Sequence, residues 1–297
     1  MNGITIAIPT YNRGPILVET IERLLALDPR ANEIVIVDQT PEHSAAIKER
    51  LETWSSGGQI RWERLEKPSV PGAMNHALRI ATQPIVLFLD DDLIPDPSLA
   101  GEHLRAHGDG IWAVAGQVLQ PGEEPQHFEE SRLHRGALRD LEFPFRHDVA
   151  MDVENVMAGN LSVVREQALA IGGFDERFLY AAYRFESDFA RRVIAAGGRI
   201  RFEPRAQMRH LKLPTGGVRS HGDPRRTAAP THSAGDYLFA IKHVPAFWRY
   251  AARRFRQNVF TRYTVTHPIA IPMKAVAEIR GLILARRLAG RESFGRS

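Results

Sequence analysis

The sequence predicts an α/β protein built on a doubly wound, mostly parallel sheet, and two observations carry this prediction. Short apolar runs rich in β-branched residues alternate with stretches of helical spacing through residues 1–105. Such alternation is typical of parallel sheets, because a helix returns the chain between parallel strands. The 297 residues, 43% of them hydrophobic, suffice for one large domain, or for one domain with an appendage.

The elements of the first half follow one another regularly. A strand over 3–9 ends at a proline, and apolar residues then recur at helical spacing over 16–27. Further strands are predicted at 33–37, 60–65 and 85–89, and helices at 47–54 and 73–80. In a sheet of this kind ligands bind at the carboxyl ends of the strands, where residues 38–40 and 90–92 lie.

The second half is less regular. A strand over 112–118 precedes a long polar stretch, 121–152, which lacks a period and is typical of a lid or substrate wall. Helices at 166–170 and 187–196 and a closing strand at 199–202 follow, and the Gly- and Pro-rich segment 215–230 marks a boundary. Three parts are therefore predicted: 1–105, 106–230, and a helical C-terminal extension, 231–297.

Composition narrows the chemistry and the compartment. The chain has no cysteine, so a metal would be held by carboxylates or imidazoles. Neither a signal peptide nor a spanning helix is predicted, and we expect a cytoplasmic protein. The overall charge is +4, yet residues 242–297 hold 12 Lys and Arg against two acidic residues. This basic end suits an anionic partner, either lipid headgroups or nucleic acid, or is a solvated face.

Three consecutive carboxylates, Asp90, Asp91 and Asp92, end an apolar strand. Charged and unpartnered, they would repel one another strongly, so a positive group is expected there. A divalent ion is the economical answer, with Asp90 and Asp92 on the same side of the chain because strand side chains alternate. The alternative is a solvated cluster that caps a helix. A calcium loop is disfavoured, because Pro95 stands where that loop needs glycine.

At this point six segments together resemble the family 2 glycosyltransferases of the GT-A fold, over residues 3–215. The segments are Ile-Pro-Thr-Tyr-Asn-Arg (8–13), Val-Asp-Gln-Thr (37–40), Pro-Gly-Ala-Met-Asn (71–75), Phe-Leu-Asp-Asp-Asp (88–92), Ala-Gly-Asn (158–160) and Gly-Gly-Phe-Asp-Glu (172–176). The resemblance implies a Rossmann-like sheet, with a nucleotide-sugar-binding half over 1–105 and an acceptor-binding half over 106–230. It implies an enzyme that moves a sugar from a nucleotide donor to an acceptor hydroxyl.

The resemblance also implies a donor site. Asp38 would accept a hydrogen bond from uracil or thymine, which predicts a UDP- or dTDP-sugar; the alternative is a turn carboxylate that caps local amides. Thr10 and Tyr11 would line the nucleoside pocket, although Tyr11 has packing as its alternative. The full set of implied nucleotide-binding residues is Pro9, Thr10, Tyr11, Arg13, Asp38, Gly72, Asn75, Asp90 and Asp91. Asp92 and His210 would bind Mn2+ or Mg2+.

The catalytic base is where the sequence departs from the family pattern. Many relatives have Glu-Asp-x-Asp followed by an arginine, whereas this chain has Phe185-Glu186-Ser187-Asp188. Counting back from Gly197 places Glu186 at the usual base. An inverting transfer needs one carboxylate to accept the proton of the attacking hydroxyl, and we expect Glu186 to do so. Asp188 is the rival, with helix capping or pairing with Arg192 as its alternative role.

The sequence indicates less clearly which residues would contact the donor phosphates and the acceptor. Lys212, Arg219 and His221, in and after the loop that follows His210, are candidates to neutralise the donor phosphates. Phe143, Phe145, Tyr180 and Tyr183 offer ring faces to a sugar, or belong to the core. The polar stretch carries His127, His134, Arg135, Arg146 and His147, which suit an anionic acceptor or form a solvated face. The acceptor is expected to be a saccharide or a lipid-linked molecule, as in polysaccharide or glycolipid biosynthesis.

The C-terminal extension has a helix candidate at 246–260 with a stripe of Phe247, Ala251, Phe255 and Val259, which Trp248 and Ala252 widen and arginines flank. Such a helix suits the anionic inner face of a membrane, to which the protein would bind peripherally. The alternative is packing against the catalytic domain or against a second subunit in an oligomer.

Two other functions remain as alternatives. A nucleotidylyltransferase would need a Gly-rich basic loop after the first strand, and residues 10–13 are not that. A degenerate sugar-nucleotide-binding protein would follow if the change at Phe185 had cost the base. Nucleic-acid binding is not expected, since no recognised module is present.

Overall fold

The computed structural model of the chain describes residues 3–129, 139–213, 216–217 and 228–290. The chain divides into two units. Unit one comprises Met1–Pro68, Gly72–Gly173 and Phe189–Gly217, and unit two comprises Ser69–Pro71, Phe174–Asp188 and Val218–Ser297.

Unit one contains the sheet. Its strands are β1 (Ile4–Thr10), β2 (Glu33–Asp38), β3 (Arg61–Arg64), β4 (Ile85–Leu89), β5 (Leu93–Pro95), β6 (Ile111–Leu119), β7 (Met151–Asp152), β8 (Asn160–Val164) and β9 (Arg199–His210). The order across the sheet is β3-β2-β1-β4-β8-β6-β9-β5, and β7 also pairs with β9. Strands β1 to β4 are parallel where they pair, and β8 runs antiparallel to β4 and β6. The predicted α/β class with a mostly parallel sheet is confirmed.

Helices connect these strands. In chain order they are α1 (Pro15–Leu25), α2 (Ala45–Ser56), α3 (Val70–Ile80), α4 (Leu99–Ala106), α5 (Arg165–Ala170) and α6 (Phe185–Ala195). A short 3-10 turn spans Arg139–Glu142. The predicted helices are present with ends shifted by a few residues, while α4, β5, β7 and β8 were not predicted, because short elements leave little periodicity.

The core of unit one follows from the composition of its central strands. Every residue of β4 is buried, and so are Ile4, Ile6 and Ile8 of β1 together with Leu17 and Ile21 of α1. A parallel strand covered on both faces is apolar at consecutive positions, which is why β4 has no alternation. Polar side chains first occur at the ends of such strands, where Asp38 and Asp92 lie.

One predicted strand is longer than its pattern. The expected closing strand at 199–202 is the first third of β9, which continues to His210 and lies between β6 and β5 rather than at an edge. Pro204 interrupts the pattern, since proline has no N–H for the ladder. A bulge accommodates it: Gly116 pairs with Glu203, but the next residue, Gln117, pairs with Gln207.

Unit two contains the C-terminal helices, α7 (Ser233–His243), α8 (Phe247–Val259), α9 (Arg262–Thr266) and α10 (Ala270–Ala289). α10 packs on α7, where Ser233 Oγ donates to the Ala277 carbonyl at 3.0 Å, and it also packs on α8. A Cβ on Gly281 would lie 2.2 Å from Ser233 Oγ, so glycine permits this close approach.

The predicted stripe of α8 is divided by this packing. Ala251 and Val259 are buried, whereas Trp248 on the same helix is exposed. Part of the predicted stripe is therefore covered, and the helices that pack on α8 are α7 and α10 of unit two. In the part of the chain that the structure describes, no helix is both long and apolar enough to cross a bilayer.

Candidate functional site

The site in unit one begins at the carboxyl edge of three parallel strands. β1 lies between β2 and β4, so Thr10, Asp38 and the residues after Leu89 end at the same edge. Asp90, Asp91 and Asp92 follow β4 directly. The sheet topology thus gathers the first, second and fourth predicted motifs.

Asp92 and His210 meet because of a local antiparallel pairing. β5 begins one residue after Asp92 and pairs with the end of β9, with Leu93 opposite His210. His210 Nε2 lies 3.0 Å from Asp92 Oδ1 and 3.8 Å from Asp90 Oδ2. Ligand atoms of Asp90, Asp92 and His210 all lie within 4.8 Å of one another, so Asp90 and Asp92 face the same side, as their alternation predicted.

Gly159 explains how Asp90 fits beside this group. A Cβ at position 159 would lie 2.2 Å from Asp90 Oδ2, and the Asp90 amide donates to the Gly159 carbonyl at 3.2 Å. Only glycine leaves this space. The Ala-Gly-Asn segment therefore serves the carboxylate cluster from the neighbouring strand β8.

These three residues fit a divalent cation. Ligands in adjacent octahedral positions around such an ion lie about 3 Å apart, given bonds of about 2.1 Å. His210 Nδ1 also lies 3.2 Å from Gln120 Oε1, so the imidazole stands between two oxygen acceptors. A neutral imidazole has one proton and cannot donate to both. A cation beside Nε2, or a second proton on the ring, resolves this conflict.

Asp91 points the other way, to a partner that the sequence reasoning missed. Arg13 Nε lies 2.8 Å from Asp91 Oδ1, and Arg13 Nη1 lies 3.4 Å from Asp92 Oδ2. Burial raises the pKa of Asp91 to about 7, although Arg13 and the Thr10 hydroxyl oppose this increase. Arg13 thus supplies part of the positive charge that the three carboxylates require.

Asp92 behaves in the opposite sense. It is fully buried, and burial favours its protonated form, but the hydrogen bond from His210 and the Leu213 amide at 3.0 Å stabilise its charge. These contacts, with the charges of His210 and Arg13, lower the pKa of Asp92. Asp92 is therefore the carboxylate of the three that is best suited to stay ionised as a ligand.

The loop after β9 lies against the first predicted motif. The Gly217 amide donates to the Tyr11 carbonyl at 2.8 Å, and a Cβ on Gly216 would lie 2.5 Å from the Asn12 carbonyl oxygen. Both glycines have positive φ, at 81° and 55°. Arg219 and His221, predicted phosphate contacts, lie outside the described residues, as do His134 and Arg135; Lys212 is exposed with φ 55°.

Asp38 has its partners within the chain. Its fully buried carboxylate accepts from the Thr40 amide at 2.8 Å and from Trp62 Nε1 at 3.0 Å, and it contacts His43 Nε2. The Thr40 contact is an Asx turn. This is the arrangement of the alternative interpretation, in which Asp38 caps local amides.

The remaining donor-site candidates differ in exposure. Thr10 is buried, whereas Pro9 and Tyr11 are half-buried beside it, and Gly72 is half-buried near the start of α3. Asn75 is buried, and a Cβ on Gly173 would lie 2.3 Å from its Oδ1. The Pro-Gly-Ala-Met-Asn and Gly-Gly-Phe-Asp-Glu segments, nearly 100 residues apart, thus meet at Asn75 and Gly173.

Unit two holds the two candidate bases. Asp188 is fully buried and forms ion pairs with Lys242 Nζ and, at 2.7 Å, with His243 Nε2. Lys242 also lies 2.6 Å from Asp175, whose pKa is lowered by Arg177 and Lys242 against the effect of burial. Neither of these partners of Asp188 was predicted. Glu186, in contrast, is half-buried on the first turn of α6.

Phe185, the departure from the family pattern, is an apolar contact within unit two. It is buried, and its ring packs edge-on against Phe174 at a centroid distance of 5.7 Å. The residue where relatives carry glutamate is therefore part of a small core.

The long polar stretch contributes core as well as surface. Phe143 and Phe145 are buried and pack against Phe202 with centroids 5.0 and 6.3 Å away, so these two rings belong to the core rather than to a sugar platform. His127 and Asp148 pair at 3.1 Å. Tyr180 remains exposed.

Asn160 supports the site through buried side-chain hydrogen bonds, a role that the sequence did not predict. Its side-chain amide donates to the Gln117 and Ala206 carbonyls at 3.1 and 2.8 Å and contacts His103 Nε2 at 2.8 Å. Burial lowers the pKa of His103 to about 3, so this imidazole is neutral. The position of Asn160 beside Gly159 was the available signal.

The fold and this cluster together define the class of protein. A structure of GalNAc-T7 with UDP, GalNAc and Mn2+ is similar with a TM-score of 0.66 and 14% identity, covering 86% of this chain and 51% of that one. The chain therefore spans about half the length of this relative. The mannosyltransferase PcManGT of Pyrobaculum calidifontis, in complex with GDP-Man and Mn2+, is similar with a TM-score of 0.55 and 17% identity, covering 96% of this chain and 73% of that one. TarS 1-349 of S. aureus is similar with a TM-score of 0.56 and 14% identity, covering 97% of this chain and 88% of that one. These likenesses show a GT-A fold.

The family follows from the sequence. Residues 5–170 match the model of glycosyl transferase family 2. The chain belongs to this family, which confirms the resemblance; five of the six segments lie within the matched residues, and the segment at 172–176 lies after them. No curated protein matches the sequence.

Proposed function

We propose that the protein transfers a sugar from a UDP- or dTDP-sugar to an acceptor hydroxyl with inversion at the anomeric carbon. The observation that carries the proposal is the cluster of Asp90, Asp92 and His210 at the carboxyl edge of the sheet, in a chain of family 2. In the reaction the acceptor oxygen forms a bond to C1 of the sugar. The bond from C1 to the diphosphate oxygen breaks on the opposite face.

Asp90, Asp92 and His210 are the residues that would hold Mn2+ or Mg2+. A divalent ion bound there supplies stabilisation of the negative charge on the departing diphosphate. The chain's own contribution is to keep Asp92 ionised through His210 and the Leu213 amide. Arg13 offsets the charge of Asp91 beside them. The structures of GalNAc-T7 and PcManGT, both with Mn2+, support the choice of metal.

Glu186 is proposed as the general base, which accepts the proton of the attacking hydroxyl on its carboxylate. The support is its half-buried place at the start of α6, together with the state of its rival. Asp188 has no exposed surface and lies between the Lys242 ammonium group and the His243 imidazole. A carboxylate held in this way is a positioning residue for α6 rather than a proton acceptor.

The proposal that the donor carries a pyrimidine base rests on the family resemblance at Asp38. Since the Asp38 carboxylate is engaged by Thr40, His43 and Trp62, recognition of a base N–H requires one of these contacts to be exchanged. His43 is the partner that a rotation could release. A saccharide or lipid-linked acceptor, as in polysaccharide or glycolipid synthesis, completes the proposal; its support is the basic and apolar surface of the C-terminal helices.

The donor and metal are tested by calorimetry of UDP, dTDP and GDP with Mn2+ and with chelator. UDP or dTDP should bind at least about tenfold more tightly than GDP and only with metal. Asp92→Ala should abolish Mn2+-dependent binding and keep the fold, whereas Asp96→Ala, at an aspartate outside the cluster, should bind normally. Equal affinity with and without chelator would contradict the metal proposal.

The base is tested by turnover. Positioned proton transfer contributes about 10²- to 10⁴-fold in rate, so Glu186→Gln should lower kcat by about that factor with little change in donor affinity. Asp188→Asn should act mainly on stability. A folded, inactive Asp188→Asn protein together with an active Glu186→Gln protein would exchange the roles. Absence of any transfer or donor hydrolysis by the wild-type protein would favour a degenerate binding protein.

A further inference from the structure

α10 is apolar on two opposite faces. One face, with Ala277, Gly281, Ala285 and Leu288, is buried in unit two. On the other face Val276, Ile279 and Ile283 recur at intervals of three and four residues, and all three are exposed. A helix whose outer face meets only water has polar residues there, so this second stripe is without explanation in the fold.

The exposed apolar surface extends beyond α10. Ile269, at its N-terminal end, is 90% exposed, and Val265 is 74% exposed on α9. Trp248 of α8 is 59% exposed, and the Arg286 guanidinium of α10 lies 4.6 Å from the centre of its ring. That contact places the tryptophan beside the C-terminal end of α10. We call Trp248, Val265, Ile269, Val276, Ile279 and Ile283 the outer apolar surface.

The charges around this surface have one sign. Seven arginines are exposed over residues 244–290, namely Arg249, Arg253, Arg256, Arg262, Arg280, Arg286 and Arg287. The single acidic residue in that range is Glu278, which is buried and binds Tyr237 at 2.7 Å and Arg254 at 3.2 Å. No negative side chain of residues 244–290 therefore reaches the surface.

We infer that the outer apolar surface docks on an anionic lipid bilayer. Exposed isoleucine, valine and tryptophan side chains enter the boundary between headgroups and acyl chains, while the surrounding arginines bind lipid phosphates. Arginine with apolar and indole side chains is the composition of interfacial helices, and the charge complementarity selects a negatively charged leaflet. Of the docking residues only Trp248 belongs to the predicted stripe over 247–259, two of whose members are buried. The inference does not depend on the catalytic proposal.

The experiment measures flotation of the full chain with two kinds of vesicle. One kind is phosphatidylcholine alone, and the other is phosphatidylcholine mixed with an equal amount of phosphatidylglycerol. The wild type should float with the mixed vesicles and dissociate as salt is raised, because screening weakens the lipid contacts. Ile279→Ser/Ile283→Ser should weaken binding by about tenfold or more, since two exposed apolar side chains are lost. Arg280→Gln/Arg287→Gln should weaken it by a similar factor. Ile194→Ser, at an exposed isoleucine of unit one, should bind as the wild type does.

A second measurement keeps the inference testable if a variant misfolds. Brominated lipid in the mixed vesicles should quench the fluorescence of the wild-type protein, and Trp248→Phe should lose most of that quenching. Unaltered fluorescence, or equal flotation with uncharged vesicles, would overturn the inference. So would a dimer that Ile279→Ser/Ile283→Ser dissociates, with no vesicle binding, since a second copy would then cover this surface.

Discussion

At the scale of single residues, the three neighbouring aspartates have three different environments. Asp90 lies beside Gly159 in the candidate metal cluster, Asp91 pairs with Arg13, and Asp92 is held by His210 and a backbone amide. Strand alternation predicted the separation of Asp91 from the other two. It did not predict Arg13, because a contact over nearly 80 residues of sequence depends on how β1 and β4 pair.

Asp91 should make stability depend on pH. Burial raises its pKa to about 7, so the folded chain keeps a proton that the unfolded chain releases near pH 4. The Asp91 contribution to the free energy of unfolding should therefore fall as pH rises from about 4 to about 7, by roughly 1 kcal/mol per pH unit. The imidazoles of His103 and His107, whose pKa values burial lowers to about 3 and about 4, contribute in the opposite sense over this range. Asp91→Asn should remove the Asp91 contribution, so the free energy of unfolding of the variant should rise with pH relative to that of the wild type, as measured by urea unfolding with chelator present. The exposed control Asp109→Asn should keep the wild-type slope, and parallel profiles for all three proteins would refute the assignment.

At the scale of elements, the site depends on glycine-containing turns and on the long strand β9. The strands with uninterrupted apolar runs were predictable, whereas β9 was predicted only over its first residues because Pro204 breaks the pattern. His210 was nevertheless placed with Asp92, on the strength of the family resemblance rather than of the strand. Asn160, which ties β8 to β6 and β9, left no periodic signal.

Substitution of Gly172 and of Gly173 would test one of these turns. Both residues have positive φ, at 85° and 64°, but only Gly173 approaches another side chain, that of Asn75. Gly172→Ala should cost about 1 kcal/mol of unfolding free energy through backbone strain alone. Gly173→Ala should cost about 1–3 kcal/mol more, since Asn75 must move. Chemical denaturation measures both; equal losses would show that the Asn75 contact is unimportant.

At the scale of the whole molecule, positive charge is concentrated at the C-terminal end of the sequence. The last 56 residues hold more than the whole excess of positive charge, since the rest of the chain is net acidic, yet Lys242 and Arg254 pair with buried carboxylates of unit two. Composition predicted an anionic partner for this region. Which cations remain at the surface could not be predicted, because that depends on the packing of α7, α8 and α10.

Lys242 is expected to be the main electrostatic tie of unit two, joining Asp175 and Asp188 across more than 50 residues of sequence. Lys242→Met should lower the free energy of unfolding by about 3–5 kcal/mol, because two buried carboxylates would lose their shared cation. Lys242→Arg should recover part of the loss. Lys48→Met, which removes an exposed pair with Glu52, should change stability by less than about 0.5 kcal/mol. A loss no larger than that of Lys48→Met would rule out this role.

The bulge in β9 indicates where this chain tolerates insertions. Between its pairings at Glu203 and Gln207, β9 advances by four residues while β6 advances by one. A bulge absorbs extra residues without changing the pairing that follows it, and this one already contains three. The face on which His210 lies is therefore determined by its pairing with Leu93 and not by the number of residues that precede it. Length changes within residues 204–206 are compatible with the cluster as long as the pairs from Gln207 onward are kept.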